Sequence, residues 1–474
     1  MKIKVEITLT IDEYTEDARE TQVQIEEHIP EGFQSLDAWE QNVRNIGFRS
    51  MRTLFSSGIE LYEEKILSEY IHKDSDCHTV KRGLWEFTLK TALGKVRFLR
   101  RRVFCNTCNQ WITPIDKALG LHDDEHEKAT AGFKELSCLC SVNQPYRQAA
   151  DTIRHVTQDP EIVSHEEVRQ IVQEEGKQVR KREEDDREDA VFCFVRAIQN
   201  RPDRAPPSSG SLFFRWSAER QLYICLDGTF VRSSAGKNQF YEGKVGFICT
   251  DARQSAGNRL TIPLKRYISS FQDTYVFGGR VRGQALRMGI RLYREVFIIG
   301  DGARWIREIR EQRFPGTIYI LDWYHLRERL YSALKLTLPN DETRRNDNFS
   351  KLNSYLWRGM KHEALLALRE LYIQMLPKVK RKVLDQPEGL RELIFYIKNN
   401  WEGIVDYQEM SHKGYLVASS LVEKAVDLVV AKRQKKSQGM HWSRMGADNV
   451  CALRTVWLNE DWSDYWCQRR EQAA

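Results

Sequence analysis

Leu222-Tyr-Ile-Cys-Leu226 is an unbroken apolar run that ends in Asp227-Gly228-Thr229, and the same pattern returns twice downstream. Glu295-Val-Phe-Ile-Ile299 leads into Gly300-Asp301-Gly302, and Thr317-Ile-Tyr-Ile-Leu321 leads into Asp322-Trp-Tyr-His325. Short apolar runs bounded by glycine read as strands buried on both faces. Gln239–Thr250 and Thr261–Ile268 read as two further strands, and Gln284–Gly289 as a helical segment between them and the later pair. The second half of the chain is therefore expected to be α/β. Ligands of an open α/β sheet gather at the carboxyl ends of its strands. Glycine after Asp227 and on both sides of Asp301 lets backbone and ligand approach closely. One carboxylate after a strand is usually a turn cap, but three after successive buried strands favour a site. Such hard oxygen donors suit Mg2+.

Upstream of this region the chain changes character. Residues 177–190 are almost all charged, and Asn200-Arg-Pro-Asp-Arg-Ala-Pro-Pro-Ser-Ser-Gly-Ser follows. We read residues 181–210 as a linker. Residues 123–180 have helical periodicity, with helices over Ala129–Cys140 and Asn143–Val156 and a third capped by Ser164, Glu167 standing at the capping-box position. That shape suits a helix-turn-helix DNA reader, and it also occurs in plain helical bundles. Residues 84–104 read as a hairpin turning at Gly94-Lys95, with Arg100, Arg101 and Arg102 on the return strand as either DNA contacts or a solvated edge. His72 and Cys77 precede this hairpin and Cys105-Asn-Thr-Cys108 follows it, so residues 71–122 resemble the layout of a zinc ribbon. These four residues would hold a structural Zn2+; the alternative is a reduced thiol pair. Residues 1–70 open with a strand at 2–11, by strict alternation, and continue as helix from Ser35 to Tyr70 with an expected break at Gly58.

Composition excludes several classes. The 12 Trp, 18 Tyr and 20 Phe among 474 residues exclude a mainly disordered chain. There is no apolar run long enough for a membrane helix, and the alternating start is unlike a secretory signal, so a cytoplasmic protein is expected. A net charge of +6, from 73 basic and 67 acidic residues, permits nucleic-acid binding without demanding it. The ten cysteines are irregularly spaced and argue against a disulfide framework.

Residues 326–412 are helical and highly charged, with helices expected at Leu326–Leu336, Ser350–Met375 and Gly389–Asn400. Beyond them come Ser420-Leu-Val-Glu423, then Lys432, Arg433, Lys435 and Lys436, then Gly439-Met-His-Trp-Ser443, Gly446-Ala447 and Ala452-Leu-Arg454. Together with Gly300-Asp-Gly-Ala-Arg-Trp305 and Asp322-Trp-Tyr-His325, this ordered set resembles the DDE transposases of bacterial insertion sequences, in particular the ISKra group and its mutator-like relatives. The resemblance runs over residues 70–468.

The resemblance implies a multidomain α+β and α/β chain: an N-terminal zinc-ribbon-like and helix-turn-helix DNA-binding region, then an RNase H-like core. It divides that core into residues 211–325 and 413–474 around an all-α insertion at 326–412. It implies Asp227, Asp301 and Glu423 as the catalytic carboxylates, holding a pair of Mg2+ or Mn2+ ions. Asp322 and His325 would support the site, His325 orienting a phosphate or positioning Asp322. Lys432, Arg433, Lys435 and Lys436 would neutralise DNA phosphates. The implied activity is cleavage of double-stranded DNA at element ends followed by strand transfer into target DNA, by a homodimer or larger assembly on the bacterial nucleoid. Two alternatives stand beside it: a catalytically inactive or domesticated transposase-derived DNA-binding protein, and a metal nuclease with another substrate. The approach to Glu423 lacks the glycine usual in those transposases, and the first metal knuckle lacks a second cysteine.

Overall fold

The computed structural model describes residues 2–11, 19–28, 35–73, 79–106, 109–120, 127–200, 221–236, 238–250, 253–255, 259–262, 264–379, 386–418, 420–436 and 440–472. It is a mixed α+β chain with several sheets and many helices. The chain forms two compact units, residues 1–175 with 461–474, and residues 176–460.

In the first unit β1 (Lys2–Ile11) pairs antiparallel with β2 (Arg19–His28). Helix α1 (Leu36–Lys73) is capped by Ser35, whose Oγ accepts the Ala38 N–H at 3.1 Å. It runs straight through Gly58, where a break was expected. One glycine costs a helix about 1 kcal/mol, too little to interrupt many consecutive backbone bonds. Next come β3 (Thr79–Thr91), β4 (Gly94–Cys105), β5 (Gln110–Ile112), α2 (Pro114–Leu119) and β6 (Glu127–Ala129), whose strands form a sheet in the order β5-β4-β3-β6. The β3–β4 turn ends at Gly94, whose φ of 111° no side chain tolerates readily. Helix α1 covers part of the β4 edge. Ser56 Oγ donates to the Arg97 carbonyl at 2.7 Å, and Glu63 accepts the Arg101 N–H at 2.7 Å. This occupies backbone groups that would otherwise invite another strand.

The three consecutive arginines of β4, Arg100 to Arg102, have separate structural partners. Arg100 is only 3% exposed, bonds Asp116 of α2 at 2.7 Å and lies over the Phe87 ring. It is unavailable to DNA, which corrects the reading of the whole run as surface charge. Arg101 pairs with Glu64 at 2.9 Å, and Arg102 lies between the rings of Trp85 and Trp111. Of the four zinc-ligand candidates, Cys105 is buried at the end of β4, while Cys77, Cys108 and the His72 side chain lie outside the described residues.

Helices α3 (Ala131–Ser141), α4 (Tyr146–Thr157) and α5 (His165–Asn200) follow. The Ser164–Glu167 pair forms a reciprocal capping box, with bonds of 3.1 and 2.7 Å. The charged run 177–190 is helical, because α5 continues through it. Residues of α5 up to Glu175 belong to the first unit and those from Gly176 to the second. The fully buried Glu175 is held by two donors of Arg469, at 3.0 and 2.9 Å, on the C-terminal helix Trp462–Glu471.

The second unit is built on β7 (Gln221–Arg232), β8 (Phe240–Thr250), β11 (Lys265–Ser270), β12 (Glu295–Gly300) and β13 (Ile318–Leu321); a small hairpin, β9 (Arg253–Ser255) and β10 (Arg259–Thr261), lies outside their sheet. The sheet order is β11-β8-β7-β12-β13, with the first three strands antiparallel and the last two parallel to β7. Numbered by chain order, the five strands stand 3-2-1-4-5. Leu222 to Leu226 are all buried, which explains why this run is apolar on both faces. Helices α6 (Thr274–Arg287) and α7 (Arg304–Arg313) cover one face through Phe277, Val281, Ile306 and Ile309.

An all-helical stretch follows: α8 (Trp323–Thr337), α9 (Glu342–Trp357), α10 (Lys361–Val379), α11 (Gln386–Asn399) and α12 (Tyr407–His412). The single helix expected over 350–375 is two, broken at Gly359. There φ is +67°, and a Cβ would stand 3.0 Å from the Asp406 nitrogen. The chain then ends this unit with α13 (Ser420–Val426), α14 (Lys432–Gln434) and α15 (Arg444–Leu458). No helix among the described residues is long and apolar enough to cross a membrane.

Glu63 offers a check on this packing. Burial raises its pKa above the usual carboxylate range, and the Arg101 backbone bond only partly opposes that shift. The folded state therefore binds the proton more tightly than the unfolded state. That stabilisation is fully present below the unfolded pKa of about 4.3 and is lost as pH rises through the folded value. Glu63→Gln keeps an acceptor for Arg101 without the buried charge. Its stability is expected to exceed wild type by about 1 kcal/mol at neutral pH and to match it near the unfolded pKa. Thermal unfolding at both pH values checks this, and a gap that widens on acidification would contradict it.

Candidate active site at the strand ends

The parallel register of β7 and β12 fixes the first two carboxylates. The last paired residues are Leu226 and Gly300, so Asp227 and Asp301 follow side by side. Asp227 accepts the Gly228 N–H at 2.7 Å. Asp301 turns the chain, its Oδ1 accepting the Ala303 N–H at 2.9 Å. Gly302 has φ +86°, and a Cβ there would lie 2.7 Å from the Asn400 side chain. The helical stretch therefore closes on the Asp301 loop. Tyr396 of α11 donates its hydroxyl to the Asp301 carbonyl at 2.5 Å, and Arg307 bonds the Asn400 Oδ1 at 3.2 Å.

Asp322 has a different job. It is fully buried, its backbone N–H donates to the Gly300 carbonyl, and its carboxylate caps α8 by accepting the His325 N–H at 2.7 Å. It is the cap that a lone strand-end aspartate usually is. The capping bond uses the His325 backbone and leaves the ring facing elsewhere. His325 Nε2 stands 3.8 Å from Glu423 Oε1 and has no hydrogen-bond partner. Glu423 is carried in on α13, which contacts β7 and β8 and whose approach is tied to α8 by the bond from Trp323 N–H to the Val417 carbonyl. Asp227, Asp301, Glu423 and His325 thus share one neighbourhood, although the sequence separates the first from the last carboxylate by nearly two hundred residues.

The electrostatics reflect that crowding. The Asp227 carboxyl is pushed up to about 6, first by burial, then by the charges of Asp301 and Glu423; the Gly228 N–H and His325 pull it the other way. An acid in this state needs a proton or a cation. Two aspartates and a glutamate are the hard oxygen donors that Mg2+ and Mn2+ prefer, so the residues fit divalent ions. Among the described residues no three such side chains enclose a single ion. A two-ion arrangement asks only for shared carboxylates, with substrate and water completing each shell.

The four basic residues from Lys432 to Lys436 separate clearly. Lys432 is exposed. Arg433 is fully buried, with its guanidinium over the Trp442 ring and 3.4 Å from Met440 Sδ, so it packs the interior and cannot meet DNA. Lys435 reaches Thr229 Oγ1 at 3.0 Å, two residues beyond Asp227 on the same strand face. Lys436 pairs with Asp427. Sequence reading gave no role to Thr229, Tyr396 or Asn400. A threonine after Asp-Gly and a tyrosine in a charged helix carry no local signal of what they touch.

The family profile of an uncharacterised protein family, UPF0236, matches residues 36–209 and 217–463, and the chain belongs to that family. Members in Caldanaerobacter subterraneus subsp. tengcongensis are similar to it. One, whose designation carries eleven loci, is 23% identical over 374 residues, covering 78% of this chain and 67% of its own length. A second, with one locus, is 23% identical over 373 residues, covering 78% and 68%. A third, with four loci, is 23% identical over 377 residues, covering 78% and 67%. This family assignment corrects the resemblance to the ISKra-group DDE transposases: the matching profile and relatives bear the UPF0236 designation and no transposase name.

The Asp227 shift has a measurable consequence. Its folded pKa lies above the unfolded value, so the associated stability is lost as pH rises through about 6. Without divalent ions, Asp227→Asn is expected to exceed wild type by about 1–3 kcal/mol at pH above 7, with the gap closing near pH 4. Mg2+ or Mn2+ should raise the Tm of wild type well above any effect on the variant. Calorimetric scans with and without each ion decide it; equal shifts in both proteins would show that the ions bind elsewhere.

Proposed function

We propose that this protein cleaves and rejoins DNA phosphodiester bonds with the help of divalent cations, the chemistry of a DNA transposase acting at element ends and on target DNA. The observation that carries this reading is the meeting of Asp227, Asp301, Glu423 and His325 at the carboxyl end of the parallel strand pair. The 3-2-1-4-5 sheet supports an RNase H-like core, with the stretch from α8 to α12 as its all-α insertion. The eleven, four and single loci named for the relatives support it as well, since a self-moving gene leaves many copies in one genome. Helices α3 to α5 are the candidate helix-turn-helix reader of double-stranded DNA, and two DNA ends call for a homodimer or larger assembly.

In this reading Asp227, Asp301 and Glu423 would hold the divalent ions between them. Bound there, the ions would activate the attacking oxygen and stabilise the leaving one. The chain supplies the rest. Asp227 is fixed by strand pairing, and Asp301 by Tyr396 and the Asn400 contact at Gly302. Glu423, about half exposed, is the carboxylate with most freedom to adjust. His325 Nε2 can hold a proton toward a phosphate oxygen, and Lys435 places an ammonium beside the strand that bears Asp227. Water attacks the phosphodiester at the element end and its P–O3′ bond breaks, freeing a 3′-hydroxyl; that hydroxyl then attacks a target phosphodiester, whose own 3′-oxygen leaves.

The test uses purified protein, Mg2+ and DNA carrying the ends of the gene's own flanks. Wild type is expected to nick those ends and to join them to a second duplex. Asp227→Ala, Asp301→Ala and Glu423→Ala should each lose about 10³-fold or more in cleavage while retaining DNA binding. Binding without cleavage by wild type would favour a non-catalytic DNA-binding protein. Cleavage with no joined product would favour a nuclease. Tyr396→Phe, which loosens the Asp301 loop, is expected to lower the cleavage rate about 10-fold with unchanged binding.

A further inference from the structure

The helix that delivers Glu423 is not a continuous α-helix. Between α13 and α14, residues Asp427–Ala431 form a π-turn, in which the Lys432 N–H bonds the Asp427 carbonyl five residues back. Such a turn takes in one extra residue and is frequent at functional sites. Its effect can be worked out. The twelve steps from Glu423 to Lys435, at about 100° each, would set the two side chains about 120° apart on an α-helix. With one residue absorbed, the segment turns as eleven steps and the separation falls to about 20°. Both side chains then fall on one face: Glu423 beside His325 at 3.8 Å, on a helix that contacts β7, and Lys435 onto Thr229 of β7 at 3.0 Å.

A π-turn leaves carbonyls poorly satisfied, and one residue answers this. Arg454 of α15, 2% exposed, sends Nε to the Val429 carbonyl at 2.9 Å and to the Leu428 carbonyl at 3.2 Å, and its Nη2 also donates to Leu428. Gln434 is anchored to the same helix through the Ala447 carbonyl at 2.9 Å. We propose that Arg454 is a positioning residue whose grip on the Leu428 and Val429 carbonyls maintains the π-turn, so that one helix face presents Glu423 and a phosphate-binding Lys435 together to a DNA strand. This rests on the DNA-cleaving reading above for what Lys435 contacts, but not for the turn itself.

The experiment compares wild type, Arg454→Met, Lys435→Met and the double variant, all full length, on a mixed-sequence DNA duplex. Two quantities are read: the slope of log affinity against log salt, and amide hydrogen exchange across residues 427–436. Lys435→Met should reduce the slope by about 0.9, the contribution of one phosphate contact. Arg454→Met should reduce it equally, the double variant no further, and exchange should rise in 427–436 while the sheet stays protected. An Arg454→Met protein with wild-type slope and exchange, or losses that add in the double variant, would overturn the proposal. Should Arg454→Met not fold, Arg454→Lys, which keeps the charge but not the fork, carries the same two readouts with intermediate values expected. If wild type itself shows no salt-dependent DNA binding and no Mg2+-dependent cleavage, the functional reading fails, while the exchange result still decides whether Arg454 holds the turn.

Discussion

Asp227 and Asp301 are forced together by the register of two parallel strands, and like charges placed side by side at the edge of a hydrophobic core repel. Leu226 and Ile299 beneath them are fully buried, so neither carboxylate can retreat into water without undoing a strand. The arrangement is sustainable because each acid is tethered by neutral groups: the Gly228 N–H on one, the Ala303 N–H on the other. What the tethers leave unsettled is net charge. Burial and the neighbouring carboxylates make the folded chain hold a proton on Asp227 up to about pH 6.

The rest of the second unit is arranged so that this strained pair does not drift. The helical stretch from α8 to α12 is not a free appendage. Tyr407 bonds the Leu321 carbonyl, Tyr396 bonds that of Asp301, and Gly403 lets the chain lie against β13, where a Cβ would sit 2.6 Å from Tyr319. Trp323, Trp357 and Tyr407 pack into one aromatic cluster at the root of the stretch. Rings at these positions add packing area and fixed geometry where the chain leaves the sheet and returns to it. The returning segment is pinned at Val417 before α13 begins, which places Glu423 beside His325.

How much of this was legible beforehand depended on the range of the interaction. Apolar runs ending in aspartate reveal buried strands, because burial on both faces leaves a local composition. The Ser164–Glu167 capping box was likewise readable, since both partners sit within one turn. Asp322 was readable as a strand end with capping as its plain alternative, and the cap it makes lies, like the Ser164–Glu167 box, within one turn. Glu423 has no periodic signature linking it to Asp227; only the order of motifs suggested it. Arg100 and Arg433 look like solvated charge in the sequence. Their burial depends on Asp116 and Phe87 in one case and Trp442 in the other, partners brought in by folding. Gly58 misled for the opposite reason, since a residue that weakens a helix locally does not end one that is long and packed.

Helix α15 shows why charged residues are retained in an interior where apolar ones would pack as well. From Gly446 to Thr455 it is buried throughout, yet it carries Asp448 and Arg454. Asp448 accepts Arg180 Nε at 3.0 Å and the Phe271 N–H at 2.8 Å, which joins α5 and the end of β11 to this helix. Gly176 approaches so near that a Cβ would stand 2.5 Å from the Asn449 carbonyl. Arg454, two turns on, holds the π-turn carbonyls. A buried ion pair is weak evidence for stability, because desolvation offsets its attraction. Its directional bonds instead exclude a slipped register. An apolar α15 could slide or rotate at small cost; this one would strand a guanidinium and a carboxylate without partners, at several kcal/mol each. The charges in α15 therefore tie the edge strand of the sheet that bears Asp227 to the turn that follows the helix bearing Glu423.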